Sequence, residues 1–484
     1  MRKFFLILTL LFVAGELPFS FAGTDQVEIY TRVPRFTVEE AILTALQRNP
    51  DIQRARQEIE RTKGLYIEMR AAILPQITNN GTFTDTDPHL QGLGRFSSFT
   101  GGSTFNSTER SFAISLEANQ VVFAGGRVVS QIRSADFQRD STYYLFRNAI
   151  DQIIANTRQQ FYLVLLDRAL IGVQEESVKL LQSQLQDQQN RFEAGTVPRF
   201  NVLQAQVALS NQYPQLISAR NNYRIAQLQL AKTLGLDFDP RRGEGEPLEA
   251  VGQLAYVPRS IPLVKAIEVA KENRPFIKAQ KAAVLSNNAQ VGVARSTWFP
   301  EIHATGGMDT RSNPLSDELR DARMGYVYGL TGTWAVWDWG ATWGRVKQAK
   351  ALLEESKITL DDNVRQVELE VQQAYSNLIQ SRELIKSQEK NVEQAEEALR
   401  LASARLGAGA GTQLEVLDAR VQVTTAQSTQ LQALYTYNAA VAEFDRATAT
   451  EVKYSSQLDE PNTRKKLMTN ANPTPPPKPT PIPL

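Results

Sequence analysis

Glu415 and Asp418 stand three residues apart, directly after the glycine-rich run Gly407-Ala408-Gly409-Ala410-Gly411-Thr412. On a helix that spacing puts both carboxylates on one face. Thr412, three residues before Glu415, is the sequence form of a capping box, and acidic groups in a first turn suit the positive end of the helix dipole. A matching stretch, Arg191-Phe192-Glu193-Ala194-Gly195-Thr196, shares with Arg405–Gly409 the pattern of Arg, three residues, then Gly. Gly195 and Gly409 can take the left-handed conformation that ends a helix. Arg191, Gly195 and Thr196, and likewise Arg405, Gly409 and Thr412, therefore read as two helix-to-helix tips. Little else in the chain could do chemistry. His89 and His303 are the only histidines, and there is no Cys. Structural disulfides, Cys-ligated metals and a lipidated N-terminal Cys are excluded, and no nucleophile–base–orienter set or phosphate-cradling loop is present. The expectation is no catalytic residue, no cofactor and no metal: a binding or conducting protein, not an enzyme.

Lys plus Arg number 53 against 52 Asp plus Glu, a formal net charge of +1, so no basic excess suggests a nucleic-acid partner. Arg2 and Lys3 precede an apolar run, Phe4 to Ala14, too short to span a bilayer; Ser20-Phe21-Ala22 has the small residues of a cleavage site. Residues 1–22 read as a secretory signal. The remainder contains no apolar stretch of 18 or more residues, which is too little for a transmembrane helix.

The elements that position the tips come as a tandem repeat. Pro50, Ile52, Arg70, Pro75 and Ile77 recur 225 residues later as Pro275, Ile277, Arg295, Pro300 and Ile302. Leu116, Val122, Gly126, Arg191, Gly195 and Val202 recur 214 residues later as Leu330, Val336, Gly340, Arg405, Gly409 and Val416. The change of offset falls between residues 78 and 112, where a surface loop belongs. After an N-terminal segment 23–35, repeat 1 spans 36–234: a helix over 37–73 capped by Thr37 and broken at Pro50, strands at about 75–83 and 112–123, a long helix 126–190 and a helix 198–234. Repeat 2 spans 263–450: a helix, strands at about 300–308 and 326–337, a long helix 340–405 and a helix 412–449. Residues 235–262 form an irregular belt between them. The end, 451–484, with seven Pro between 473 and 483, reads as a disordered tail.

The strands alternate. Phe112, Ile114, Leu116, Ala118 and Val122 share one face and Ala113, Ser115, Glu117 and Asn119 the other; Tyr326, Tyr328, Leu330, Trp334 and Val336 oppose Gly329, Thr331 and Thr333. Apolar-out, polar-in strands of about ten residues with aromatics near the ends are the pattern of a membrane β-barrel. The second long helix carries a heptad seam, Val364, Val371, Leu378, Ile385, Val392 and Leu399, beside a row that turns small, Leu360, Val367, Ala374, Ser381, Gln388, Ala395 and Ala402. About 65 residues of helix reach roughly 100 Å, too long for an ordinary globular domain. Paired long helices alone would also suit a periplasmic coiled-coil adaptor or scaffold. Two amphipathic hairpins at matching repeat positions favour the channel.

Asn49-Pro50, Leu74-Pro75-Gln76-Ile77, Val122-Phe123-Ala124-Gly125-Gly126 and Val416-Leu417-Asp418-Ala419, in this order within a tandem repeat, resemble the outer membrane efflux protein (TolC-like) family over about residues 36–450. The resemblance implies a mixed α and β membrane fold. Each chain gives four transmembrane strands to a shared trimeric 12-stranded β-barrel in outer-membrane lipid, and long coiled-coil helices to a periplasmic α-barrel. It further implies a homotrimer working with a periplasmic adaptor (membrane fusion) protein and an inner-membrane pump, in tripartite efflux or type I secretion. Passive conduction fits the missing P-loop. By the same resemblance Arg191, Gly195, Thr196, Arg405, Gly409 and Thr412 are adaptor-docking positions, and Glu415 and Asp418 ring the periplasmic aperture. The aromatic–Arg–Asp lock of similar proteins corresponds here to Leu406, Gly411 and Asn201, so this chain departs from it; Arg199 or Arg405 is left to substitute.

Overall fold

The computed structural model describes residues 33–87, 110–237, 247–259, 262–312 and 321–450. The expected signal, most of the first strand-to-strand loop with His89, and the Pro-rich tail lie outside the described residues.

Thr37 caps α1 (Val38–Arg48), accepting from the Glu40 amide while Glu40 returns a carboxylate to the Thr37 amide. Pro50 ends α1 because it has no N–H to continue the ladder. Instead it opens α2 (Pro50–Ala71), capped by Asn49, whose buried amide also donates to the Thr233 carbonyl at 2.7 Å. The 37–73 helix of the sequence is thus two helices meeting at a capped break. Repeat 2 breaks at the same place, between α5 (Leu263–Asn273) and α6 (Pro275–Ser296), with Pro275 opening α6 but Arg274 making no side-chain capping bond.

The sheet follows. Strands β2 (Gln76–Asp85), β3 (Arg110–Ala124), β5 (Glu301–Arg311) and β6 (Arg323–Thr333) form one antiparallel sheet in the order β2-β3-β5-β6. The register aligns Leu116, Met308 and Tyr326 across three strands on one face, and Glu117, Gly307 and Val327 on the other. Tyr326 and Tyr328 stack at 5.9 Å on the first face. Several strand boundaries differ from the sequence reading. The strands run further into the loops than expected, to Asp85 and from Arg110, because cross-strand pairing continues there. The strand expected over 326–337 begins at Arg323 and stops at Thr333. Its partner β5 starts at Glu301 after Pro300, so nothing is left to pair with Trp334 or Val336. A bulge at Val122 shifts the register between Val121 and Phe123, so Phe123 moves to the apolar face opposite Ile302, a position strict alternation denies it.

Below the sheet run α3 (Arg127–Glu193) and α7 (Ala341–Gly407), 67 residues each and about 100 Å long at 1.5 Å per residue. Each turns at a tip into α4 (Arg199–Leu234) or α8 (Gln413–Thr448), 36 residues each. Two hydrophobic clusters hold the middle of the molecule. One joins Ile42, Ile52, Ile150, Phe161, Leu230 and Leu248; the other joins Ile277, Val371, Leu378, Ile385, Tyr437 and Phe444. Both heptad rows of α7 are buried from Val367 to Ile385, whereas Leu360 and Val364 before them and Val392, Ala395 and Leu399 nearer the tip are only half-buried. A short parallel pair, β1 (Arg35–Phe36) with β4 (Glu249–Ala250), ties the belt to the N-terminal side. Asp445, almost wholly enclosed, lies between Arg158 and Arg259 and fixes the belt to α8.

Candidate functional site

Both tips are Schellman turns. In the first, the Thr196 amide donates to the Arg191 carbonyl at 2.9 Å and the Gly195 amide to the Phe192 carbonyl at 2.9 Å, with Gly195 at φ +73°. In the second, the Ala410 amide donates to the Arg405 carbonyl at 2.9 Å and the Gly409 amide to Leu406 at 3.1 Å, with Gly409 at φ +74°. The repeated Arg-to-Gly spacing is therefore accounted for at the backbone level, since the residue four before the glycine accepts through its carbonyl. That leaves the side chains to distinguish the tips. Arg191 turns back to Asp187 in its own helix at 2.9 Å, and the Thr196 hydroxyl also donates to the Arg191 carbonyl. Arg405 instead crosses its tip, meeting Glu415 at 3.5 Å and the Ala410 carbonyl at 3.3 Å. Gly411 fits there because a Cβ would stand 3.1 Å from the Arg405 Cβ and the Leu406 amide nitrogen.

The structure thus brings Arg405, Thr412 and Glu415 together. The Thr412 hydroxyl caps α8 by accepting from the Glu415 amide at 3.3 Å. Glu415 is half-buried against this set, whereas Asp418, one turn on, is exposed and makes no ion pair among the described residues. The two carboxylates differ in charge balance: Glu415 is offset by a guanidinium on its own tip and Asp418 is not.

Sequence reading missed a polar seam. α3 and α8 run antiparallel, as Arg158 against Asp445 and Ser177 near Thr424 show. Toward the tips, Gln184 and Gln188 of α3 and Gln413 and Arg420 of α8 enclose side-chain atoms that have no hydrogen-bond partner among the described residues. Burial lowers the Arg420 pKa. The signal was available, since Gln184 and Gln188 continue the buried stripe of Val178 and Leu181 at helical spacing. Higher on α3, Asp167 is buried and its pKa is pushed up to about 6 by desolvation. Tyr435 of α8 is also raised, by burial first and by the Asp167 charge second.

His303 lies at the sheet root, its ring 2.9 Å from Glu301 and 3.2 Å from Asn119, and Glu301 also pairs with Arg127. No group of His, Asp and Glu that could hold a metal occurs among the described residues, and no described helix is long and apolar enough to cross a membrane.

The family model for outer membrane efflux protein matches residues 41–236 and 266–450, both repeats almost in full. The chain belongs to the outer membrane efflux protein family. Among its relatives, a probable efflux pump outer membrane protein of Pseudomonas putida, TtgC, is 25% identical over 422 residues, covering 81% of this chain and 78% of that one. The cobalt-zinc-cadmium resistance protein CzcC of Cupriavidus metallidurans is 25% identical over 456 residues, covering 91% and 98%. The CmeC outer membrane channel of Campylobacter jejuni superimposes with a TM-score of 0.75 at 17% identity, covering 87% of this chain and 89% of that one. The fold is TolC-like, and this family member is an outer-membrane channel component of an efflux system with a large periplasmic portion. Its family consists of channels and not enzymes.

Proposed function

We propose that three copies of this chain close a 12-stranded barrel in the outer membrane and a continuous helical tunnel below it, through which substrates delivered by an inner-membrane pump pass without energy input from the channel. The observation that carries this reading is the sheet itself. Four strands cannot close, and β2 and β6 each leave an edge of unpaired backbone groups that lipid cannot satisfy. Pairing β6 of one copy with β2 of the next removes every edge. The register supports lipid on the face of Ile114, Leu116, Tyr326 and Tyr328, and water on that of Ser115, Glu117 and Asp309.

The α3–α4 and α7–α8 tips, with Arg191, Gly195, Thr196, Arg405, Gly409 and Thr412, are the adaptor-docking surface in this reading. Exposed Phe192, Phe200 and Leu203 supply apolar contact beside the first tip. Glu415 and Asp418 line the aperture. Because Arg405 offsets Glu415, the uncompensated charge of each chain is that of Asp418, and three copies place three such carboxylates in one ring, which favours cations. The test is mass measurement of the detergent-solubilised assembly together with planar-bilayer conductance of the wild type and of Asp418→Asn. A trimer whose cation preference falls in the variant is expected. A monomer, or a trimer with unchanged ion selectivity, refutes the assembly or the aperture assignment respectively.

A further inference from the structure

The two repeats match element for element: α2 with α6 at an offset of 225, and α3 with α7 at 214. Within one chain, α3 packs along α6, and β3 pairs with β5. Their counterparts α7 and α2, and β6 and β2, are not paired with each other among the described residues and lie on opposite edges. Each contact of the α3–α6 seam therefore has a counterpart pair that only a second copy can bring together.

Those counterpart residues are complementary, although they are not the same residue types. In the chain's own seam, Ser130 faces Gly292, where an added Cβ would come within 2.6 Å of the Ser130 hydroxyl and 3.2 Å of its Cβ. The counterparts are Gly344, with open space around it, and Ile67, 66% exposed. The large and small partners have changed sides, which preserves a fit. Further down, Ser141 donates to the Ala279 carbonyl. The counterparts there are Glu355 and Arg54, of opposite charge.

At the sheet root the seams diverge. Gly125 has φ +57°, and a Cβ on it would lie 2.6 Å from the Ser296 carbonyl oxygen and 2.8 Å from the Phe299 Cβ. Its counterpart is Trp339, held at φ +55° and 89% exposed. A left-handed backbone is strained for a tryptophan, and such strain persists where it serves a contact. The counterparts of Ser296 and Phe299 are Ala71 and Leu74, the latter 64% exposed. The Arg127–Glu301 ion pair of the inner seam is replaced by Ala341 and Gln76.

We infer that the face made by Trp339, Gly344 and Glu355 docks on Leu74, Ile67 and Arg54 of a second copy, with Gly344 receiving Ile67 and the Trp339 indole wedged against the end of the partner copy's α2. The seam between copies is thus neutral and aromatic at the sheet root, and wider there than the seam inside a chain, so the channel neck has three-fold and not six-fold spacing. This pairing rests on the trimeric reading above. An indole lodged between copies also explains why repeat 2 keeps a left-handed backbone that repeat 1 reserves for glycine.

The chain has no Cys, so the test is clean. In the inner seam the corresponding Cβ atoms would be 3.2 Å apart, close to disulfide range, so Gly344→Cys with Ile67→Cys should crosslink between chains on mild oxidation. The expected result is loss of the monomer band on denaturing gels and its recovery on reduction. Gly344→Cys with Lys63→Cys, one turn away, should stay monomeric on the same gel. Trp339→Gly should lower the temperature at which the native assembly dissociates. In bilayers of brominated phospholipid, the part of the fluorescence lost in that variant should be unquenched in the wild type. A trimer by native mass without the Gly344–Ile67 crosslink overturns the pairing and leaves the channel reading standing. Absence of a trimer overturns both. Quenching of the Trp339 component by brominated lipid, or unchanged dissociation of Trp339→Gly, overturns the wedge.

Discussion

Asp167 offers a quantitative test of the helical wall. It is a carboxylate on α3, 8% exposed, raised from 3.8 to about 6 by desolvation, with Tyr435 of α8 near enough to feel its charge. A raised carboxylate pKa means that the folded chain binds the proton more tightly than the unfolded one. Between the two pKa values the unfolded state carries fewer protons, so stability falls as pH rises through that window. The shift is about two units, and at 1.36 kcal/mol per unit the ionised group costs about 3 kcal/mol per chain above pH 7. The perturbation is Asp167→Asn, which keeps the shape and removes the charge. The variant should match the wild type near pH 3.5, where both side chains are neutral in the folded and mostly in the unfolded chain, and gain stability progressively to pH 7. Large membrane assemblies unfold irreversibly, so the readout is the difference in apparent Tm between variant and wild type at one scan rate across pH 3.5 to 8. A gain that is the same at every pH would show that packing and not ionisation separates the two proteins. A loss at pH 7 would show that the Asp167 carboxylate has a partner worth more than its desolvation.

Three further outcomes follow from single contacts. Burial raises the Glu370 pKa, but Arg274 and Arg446 outweigh it and hold the carboxyl below its usual 4.5. Its contribution is therefore full above 4.5 and lost as pH falls below it, and Glu370→Gln, which leaves the buried Arg274 without its charged partner at 2.5 Å, should lower the apparent Tm at pH 7, in line with the roughly 3–5 kcal/mol typical of breaking a buried pair, and lower it less as pH falls below 4.5. Gly125→Ala should reduce folded yield and lower Tm, because it adds a methyl 2.6 Å from the Ser296 carbonyl at a left-handed position, while Gly126→Ala, also left-handed but in open space, should do so less. Single Cys variants at Glu117 and Asp309 should react with a water-soluble thiol reagent, and those at Leu116 and Tyr328 should be shielded by lipid; the reverse pattern would invert the barrel faces.

The sequence by itself determined the repeat, the element order, the amphipathic strands and the two tips. These are written in local patterns: period two in Phe112 to Ala118, heptads from Leu360 to Ile385, and a glycine four residues after Arg191 and Arg405. Period and turn chemistry act over a few residues and survive without knowledge of neighbours. Family membership was legible because those local signals occur twice in one order. What only the tertiary structure decided depends on which distant segments meet. Alternation placed Val122 on the apolar face, but the register against β5 makes it a bulge and gives Phe123 that place. Glu415 and Asp418 looked equivalent on one helix face, until the turn of the tip carried Arg405 to Glu415 and left Asp418 alone. Asp167 and Arg420 gave no local sign, because their environment is made by a helix more than 250 residues away in the chain for the one and by the seam it forms for the other. Burial and charge compensation are sums over neighbours in space, and a linear pattern holds only the neighbours in sequence.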